Sequence, residues 1–544
     1  MNNENNKFQI DIDNLFKQNV NDLSSIKELY RKLEDMENKI SQIKYIDCNL
    51  ANKLKKDYEN LKKDYESLKK AISEDYESLK CIILDENIQA KLANDINKIN
   101  SQMDTKAKRF GVAIRNNNPK VTIKNEEYIF PDTFLLRYDV LPKVYKNKEQ
   151  FITDFDVTNY KNISKKTIYV STKNGLSTNN GLTRETPCQS LQKACNLASD
   201  GDTILIIDEE GTLIPRAGWF ENGYVTKSLN VISENNVIHF QGDIPSWTKT
   251  KGYNNIYQTS RSTCSRVIDI NELDNIIDLN KVSSLDILEN SKNSFYTDNV
   301  NVYINVKNAN EKILPLLKAS RSCIENTNNQ NLKLYLENII LIGGVKNIFI
   351  HGNSDYNQHE LYTKNVKCLY ATEGDALLTQ NSKRSYHQNT ICAYSSKDGF
   401  NYSTNIGDSN IVDFIEVNCY GYGNGNNELN SPNTHNGSTA HAKSHGIRIN
   451  GYYYGNYGGN VIDVQEVNSV NLGCITYDSI SDDYTFNQGI GAQQNSNATI
   501  WLDGCISFNN YSDIYCSSGN TIYVSNSVFD TVHGGGTKYL NNNY

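Results

Sequence analysis

Apolar positions along this chain change period twice, and each change marks a boundary. From about Leu23 to about Ile99 the chain is rich in Lys, Glu, Asp and Leu and almost free of Gly and Pro. Apolar residues recur there at spacings of three and four: Leu33, Met36, Ile40, Ile43, Leu50, Leu54, then Tyr58, Leu61, Tyr65, Leu68, Ile72, Tyr76, Leu79 and Ile83. That seam predicts a coiled coil, because a helix this long needs partners to bury its stripe. The near-repeat DYENL, DYESL, DYESL starts at Asp57, Asp64 and Asp75, and the four residues added to its second interval make a stutter that relaxes the supercoil. From about Asn100 to about Lys166, VTIKNEEYIF reads as a short strand, and the prolines of PDTFLLRYDVLPKVYKNKEQF bar a long helix.

From Thr167 onward a period of two with regular turns takes over. A strand at Thr167–Ser171 runs through a turn-rich loop to a short amphipathic helix near Ser190–Ala198, and the turn Ser199-Asp200-Gly201-Asp202 leads into a buried strand at Thr203–Ile207. The pattern weakens near Ile214–Glu337, where WTKTKGYNNIY and NSFYTDNVNVYINV read as extra hairpins that either build a binding wall or simply pack against their neighbours. It returns after Asn338. KCLYATEGDALL begins at Lys367 and ICAYSSKDGFNY at Ile391, so Cys368 and Cys392 stand 24 residues apart. One solenoid coil of three strands of roughly five residues and three turns needs about that many residues. GCITYDSISDDY and GCISFNNYSDIY keep the frame, and Gly421–Gly446 is a longer, polar coil between.

The Thr167–Asp208 order resembles the entry unit of right-handed parallel β-helix proteins of the pectate-lyase-like superfamily, in which a helix plugs the open end of the solenoid. The expected fold is therefore mainly β, a right-handed parallel β-helix solenoid preceded by an α-helical coiled-coil stalk. Its parts are a stalk over 1–105, a neck over 106–166, and a glycan-binding β-helix over 167–544 with an insertion at about 214–337.

Composition narrows the function. At 544 residues the chain is too long for one core, and a net charge of −8 argues against nucleic acid as the main partner. Hydrophobic content of 38% falls below the roughly 45–50% of globular chains, which suits a solenoid with polar turns. The start, MNNENNKFQI, lacks the order of a signal peptide, and no run approaches a membrane span. The twelve cysteines lack the CxxC pairing of metal knuckles. Cys368, Cys392, Cys474 and Cys505 each precede Tyr or Phe by two or three residues and read as small buried thiols in a ladder, made in a reducing cytosol.

Candidate chemistry lies in Lys397–Tyr402 (KDGFNY), Phe414–Cys419 (FIEVNC) and Asn433–Val464. A hydrolase needs two carboxyl groups about 5–5.5 Å apart for retention or about 6.5–9.5 Å for inversion. Asp398 and Glu416 could supply them if they lie on consecutive coils, which stack about 4.8 Å apart. A lyase needs a base beside a uronic carboxylate and a cation for the developing charge; His441 or His445 with Arg448 or Lys397 would serve. Arg448 alternates with Ile447 and Ile449, which predicts an outward side chain. Each residue also has a plainer reading: Asp398 before Gly399 shapes a turn, Glu416 decorates a surface strand, and His441 and His445 bond turns. His435 reads as a polar loop contact; a zinc site with His441 and His445 would lack an HExxH motif, so no cofactor or metal is expected. Tyr452 and Tyr454, with their neighbours Tyr453 and Tyr457, offer apolar faces and hydroxyls for sugar stacking, though alternate ones must fill the interior. Trp501 and Asn401 complete the set of candidate substrate contacts.

These DGFNY and STxH-type elements resemble a family of phage tail-associated β-helix proteins (tailspikes and tail fibres), over about Val144–Tyr515 and most closely over Lys397–Asp503. Relatives often carry an acidic residue after the second motif's histidine; here Ala442 follows His441. The resemblance implies a homotrimeric receptor-binding spike of a virion tail, made in the host cytoplasm, joined to a tail or baseplate protein through its N-terminal region. Its partner would be host cell-surface polysaccharide, bound and depolymerised by a lyase or hydrolase. A non-catalytic adhesin of the same fold and a structural spacer are the rival readings. Neither nucleic-acid binding nor membrane insertion is expected.

Overall fold

The computed structural model describes residues 126–147, 150–220, 223–273, 275–317, 321–404, 411–425, 435–481, 485–494 and 497–541. The coiled-coil stalk expected over 1–105 and the first part of the neck lie outside the described residues. Thr167–Val170 and Thr203–Ile206 form strands that pair in parallel, with Ile168, Val170, Ile204 and Ile206 turned inward and fully buried. Between them Leu191–Leu197 is helical. The Ser190 hydroxyl accepts the Lys193 N–H at 3.3 Å and caps its start. Lys227 Nζ donates to the carbonyls of Cys195 (2.9 Å) and Ala198 (2.6 Å) at its end, where helical carbonyls lack partners. Leu191, Ala194 and Cys195 join the core of the first strands, so the entry unit is the one its sequence predicts.

From there the chain winds as a parallel β-helix, each coil adding one strand to each of three parallel ladders. The first ladder runs from Tyr224–Val225 through Leu377–Gln380, Phe400–Ser403 and Ser438–Ala440 to Val532–His533. The second includes Arg384–Gln388, Asp413–Val417, His445–Ile449 and Thr499–Asp503. The third includes Lys367–Leu369, Ile391–Ala393, Tyr420–Tyr422, Tyr452–Tyr454 and Ile475–Tyr477. Cys368 faces Cys392 directly across the third ladder, as the 24-residue spacing requires. All ten described cysteines are free and buried. The four at the third ladder form two columns rather than one, because Cys474 and Cys505 precede their strands by one residue while Cys368 and Cys392 sit within theirs.

From Asn338 onward the turn from second to third ladder is one left-handed residue on each coil. Asn338, Asn365, Asn389, Asn418 and Asn450 hold φ between 50° and 58°, a region Asn tolerates because its amide bonds locally. Here the amides bond one another: Asn365 donates to Asn338 at 3.0 Å, Asn389 to Asn365 at 3.1 Å, and the chain continues through Asn418 to Asn450 at 3.4 Å each. At Gly473 and Gly504 the column changes residue. The Phe151 ring lies over both positions, and a Cβ there would stand 2.9 and 2.8 Å from it. Asn450, the last amide, instead accepts the Phe151 N–H (3.2 Å) and donates to its carbonyl (2.7 Å).

That contact belongs to a longer docking. Phe134, Leu136, Val144, Phe151, Phe155 and Val157 of the neck cover the outer side of the second ladder, packing on Tyr362, Tyr386, Ile415, Ile447 and Val470. A polar clasp closes it. The Tyr138 N–H donates to Asp413 Oδ2 (2.7 Å), and Arg384 pairs with Asp139 (2.6 Å) and Glu360 (3.0 Å). Burial pushes the Asp413 carboxyl up to about 6, against the hydrogen bonds from the neck amides, which favour its charged form. A carboxyl raised in the folded state stabilises most fully below its ordinary value near 3.8 and loses that contribution as pH rises through about 6. Stability is therefore expected to fall by up to about 3 kcal/mol on this account between pH 4 and pH 7. Asp413→Asn should flatten that part of the slope, read from denaturation midpoints at the two pH values.

The insertion is narrower than the sequence pattern indicates. Leu213–Pro215, Tyr224–Val225, Leu229–Phe240, Ile324–Asn326 and Lys333–Ile342 are all solenoid strands, so the inserted segment lies between Phe240 and Ile324. Trp219 and Phe220 obscured the period; both are buried in the solenoid core, with the Trp219 indole donating to the Cys323 carbonyl at 2.8 Å. The inserted segment builds two small, mostly antiparallel sheets, one around Tyr257–Ser260 and Asn301–Asn305, the other around Cys264–Asp269. Ile268, Leu314 and Leu316 pack it onto the upper third ladder.

Candidate functional site

The turns entering the first ladder carry a column of short polar side chains. Asp375 Oδ1 accepts the Asp398 N–H at 3.1 Å, Asp398 Oδ1 accepts the Asn436 N–H at 2.6 Å, and Asn436 Oδ1 accepts the Gly459 N–H at 3.0 Å. Each coil thus hands its side chain to the next coil's backbone, which fulfils the turn-shaping reading of Asp398. The column also stacks two carboxyl groups, Asp375 and Asp398, on consecutive coils, and only 5% and 7% of these residues is exposed. Burial pushes both upward; Asp398 rises well above the usual carboxylate range because the Asp375 charge adds to it.

Three further groups meet Asp398. Asn401 Nδ2 donates to Asp398 Oδ2 at 2.9 Å, while Asn401 Oδ1 is buried without a hydrogen-bond partner among the described residues. His435 Nδ1 lies 3.9 Å from Asp398 Oδ1. Burial, then the Lys397 charge, lowers the imidazole to about 4 and keeps it neutral near pH 7. The Lys397 N–H bonds the Gly374 carbonyl at 3.1 Å, which fixes Lys397 beside the pair. The sequence candidates Asp398, Asn401, His435 and Lys397 therefore converge, around a carboxyl, Asp375, that sequence reasoning missed. Its signal was present: ATEGDALL and SSKDGFNY place an Asp at nearly the same offset after Cys368 and Cys392.

Glu416 does not face Asp398. It lies on the same coil, in the second ladder, and points into the solenoid with no exposure. Arg448, expected outside, is also inside and fully buried. Its Nη2 pairs with Asp463 Oδ1 at 3.0 Å, its Nε donates to the Ser438 hydroxyl at 2.9 Å and lies 3.4 Å from Glu416 Oε1, and its guanidinium covers the Phe414 ring. Glu416 accepts from the Ser438, Tyr402 and Tyr453 hydroxyls at 2.7, 3.1 and 2.7 Å. Every charge in this network is partnered, and none reaches a substrate.

His445 begins a second-ladder strand next to Asp413, where burial lowers its imidazole and the Leu135 backbone bonds it, so the neck crosses over it. Trp501 stacks on Tyr523 at 5.7 Å and meets the edge of Phe134, which places it in the same docking surface. His441 follows the Ser438–Ala440 strand of the first ladder; its ring lies 3.4 Å from the Thr439 hydroxyl, and burial lowers its imidazole. The three histidines of the zinc alternative are thus dispersed over separate surfaces.

Tyr452 and Tyr454 face outward on the third ladder, while Tyr453 fills the interior. The outward rings stack on one another. Tyr454 lies between Tyr422 (4.9 Å, 7°) and Tyr477 (4.7 Å, 4°), and Tyr477 continues to Phe508 (5.1 Å, 4°). Both faces of Tyr454 are therefore taken, and sugar stacking on it, as the sequence suggests, has no free ring face. Tyr452 has one face covered by Tyr420 at 5.1 Å. What these rows present to solvent are ring edges and hydroxyls.

No protein-family model and no curated protein matches the chain. Solved structures with similar folds include pectate lyase Pel9A (12% identity, 70% of this chain and 80% of that one, TM-score 0.35). A glycoside hydrolase (9%, 69% and 96%, TM-score 0.37) and a polygalacturonase from Erwinia carotovora ssp. carotovora (10%, 70% and 97%, TM-score 0.27) are also similar. These proteins share strand architecture with the chain at most; the parallel β-helix assignment stands on the register above.

Proposed function

We propose that the chain binds a polysaccharide along the entry turns of the first ladder and hydrolyses it, with Asp398 as general acid and Asp375 as the partner carboxylate. The observation that carries this reading is the stacked pair itself: two carboxyl groups on consecutive coils, both raised, beside a neutral His435 and the Asn401 amide that donates to Asp398. A raised carboxyl holds its proton to higher pH than an ordinary one and can give it to a leaving glycosidic oxygen. Coils rise by about 4.8 Å, near the separation that lets the second carboxylate attack the sugar directly. Of the lyase candidates only His441 and Lys397 remain: Arg448 neutralises interior carboxylates and His445 lies beneath the neck.

The resemblance over Lys397–Asp503 extends the proposal to a tail-associated, homotrimeric receptor-binding spike on host surface polysaccharide, attached to a tail or baseplate protein by its N-terminal region. Rigid repetition of a weak site in a trimer would raise avidity. A second reading, a non-catalytic adhesin, is favoured by the amides that Asp375 and Asp398 hold in their turns. Digestion of purified host capsule or cell-wall polysaccharide, followed by product size and absorbance near 232 nm, separates the readings. Shorter chains without new absorbance are expected. New absorbance would mean elimination and overturn the hydrolytic assignment, and polymer bound but intact would leave the adhesin.

A further inference from the structure

The inserted segment holds a recess of about 700 Å³, the size of a site for one or two sugar rings. It opens between the Lys249–Tyr257 hairpin, the end of the Leu285–Asn290 helix and the end of the Asn301–Asn305 strand. Three lysines, Lys249, Lys292 and Lys307, line it against one carboxylate, Glu289. That carboxylate is already engaged, accepting the N–H groups of Asn254 (2.8 Å) and Asn255 (3.1 Å). Lys292 and Lys307 are exposed and make no ion pair among the described residues. The lining thus carries an excess of two positive charges on a chain whose net charge is −8.

The remaining lining is five asparagines, Tyr257 and one aliphatic residue, Val306. Amide side chains offer donor and acceptor together, which matches vicinal hydroxyls, and ammonium groups act as point charges for an anion. With Val306 the one aliphatic side chain in the lining, the recess has no cluster of apolar side chains for an acyl chain. Asn305 is 5% exposed and holds the carbonyls of Leu288 (2.7 Å) and Glu289 (3.1 Å), which fixes the floor.

We infer that this recess is a separate binding site for an anionic saccharide unit, bearing either carboxylate or phosphate. The saccharide part rests on the polysaccharide reading above; the site itself needs no cleavage. It would hold a charged polymer on the insertion while the first ladder acts elsewhere along it.

The test is calorimetric titration of the full chain with tri-galacturonate, a glycerol phosphate trimer and neutral maltotriose. At least one anionic trimer is expected to bind ten or more times tighter than maltotriose, and whichever binds tighter identifies the anion. Lys292→Glu with Lys307→Glu should weaken that binding at least tenfold, and raising salt should weaken it in the parent chain. Asp398→Asn should leave it unchanged. Equal affinity for the neutral sugar, an unaffected double variant, or loss of binding in the Asp398 variant would each overturn the assignment. Binding that survives with no polymer cleaved would remove the hydrolytic reading and leave this one intact.

Discussion

Arg448→Met should destabilise the solenoid by roughly 3–5 kcal/mol at pH 8, the cost of stripping one partner from a buried charge network. Without the guanidinium, Glu416 and Asp463 remain in an interior from which water is excluded, and both carry no exposure. The methionine fills much of the volume against Phe414 but supplies no donor to Asp463 Oδ1 or the Ser438 hydroxyl. Acid should relieve the defect. Burial already raises Glu416 in the parent chain, where Arg448 opposes the shift; losing Arg448 raises it further. A carboxyl raised in the folded state stabilises at low pH and loses that contribution as pH climbs, so the variant's deficit should shrink from pH 8 to pH 4. Adding Glu416→Gln and Asp463→Asn should recover part of the loss. Denaturation midpoints of the parent, single and triple variants at both pH values check this; a midpoint in Arg448→Met equal to the parent's would show that the network contributes nothing.

The same residues explain what the sequence conceals. Thr167–Asp208 was legible because its signals are local: an alternating strand, a Ser cap, a turn, a second alternating strand. The coil length was legible from the Cys368–Cys392 spacing, since parallel stacking repeats a residue's environment every turn. Inside and outside on the second ladder were not. Ile415, Ile447 and Ile449 alternate with Glu416 and Arg448 as expected, but the neck makes the outer side apolar and the interior holds the charges. Alternation fixes which residues share a side; it cannot say which side is solvent when both are covered. The missed Asp375 has a similar cause. Glu416 is nearer to Asp398 in the chain, yet the spatial neighbour of a turn residue in a solenoid lies a whole coil away, here 23 residues earlier. Ring stacking along the third ladder, which leaves Tyr454 no free face, likewise follows from register that a single tyrosine run does not reveal.

Asp398→Asn is expected to lower the rate of polysaccharide cleavage by two to four orders of magnitude while leaving polymer binding within a few-fold, the signature of a lost general acid. Asparagine keeps the oxygen that receives the Asn436 N–H at 2.6 Å, so the turn survives and the loss is chemical. Asp375→Asn should cut the rate as deeply, and where residual activity can be followed its pH profile adds a readout that a merely structural role would not move. The Asp375 charge is a named cause of the raised Asp398 carboxyl. Removing it should lower the Asp398 pKa, so the alkaline limb, set by loss of the acid's proton, should move toward lower pH. The close stacking of the two carboxyls also predicts that the released sugar keeps its anomeric configuration, observable by proton NMR of the first products. Inverted product would require a water between the carboxyls and a wider separation than consecutive coils provide. Full activity in Asp398→Asn would remove this carboxyl from the chemistry and return the column to shaping turns alone.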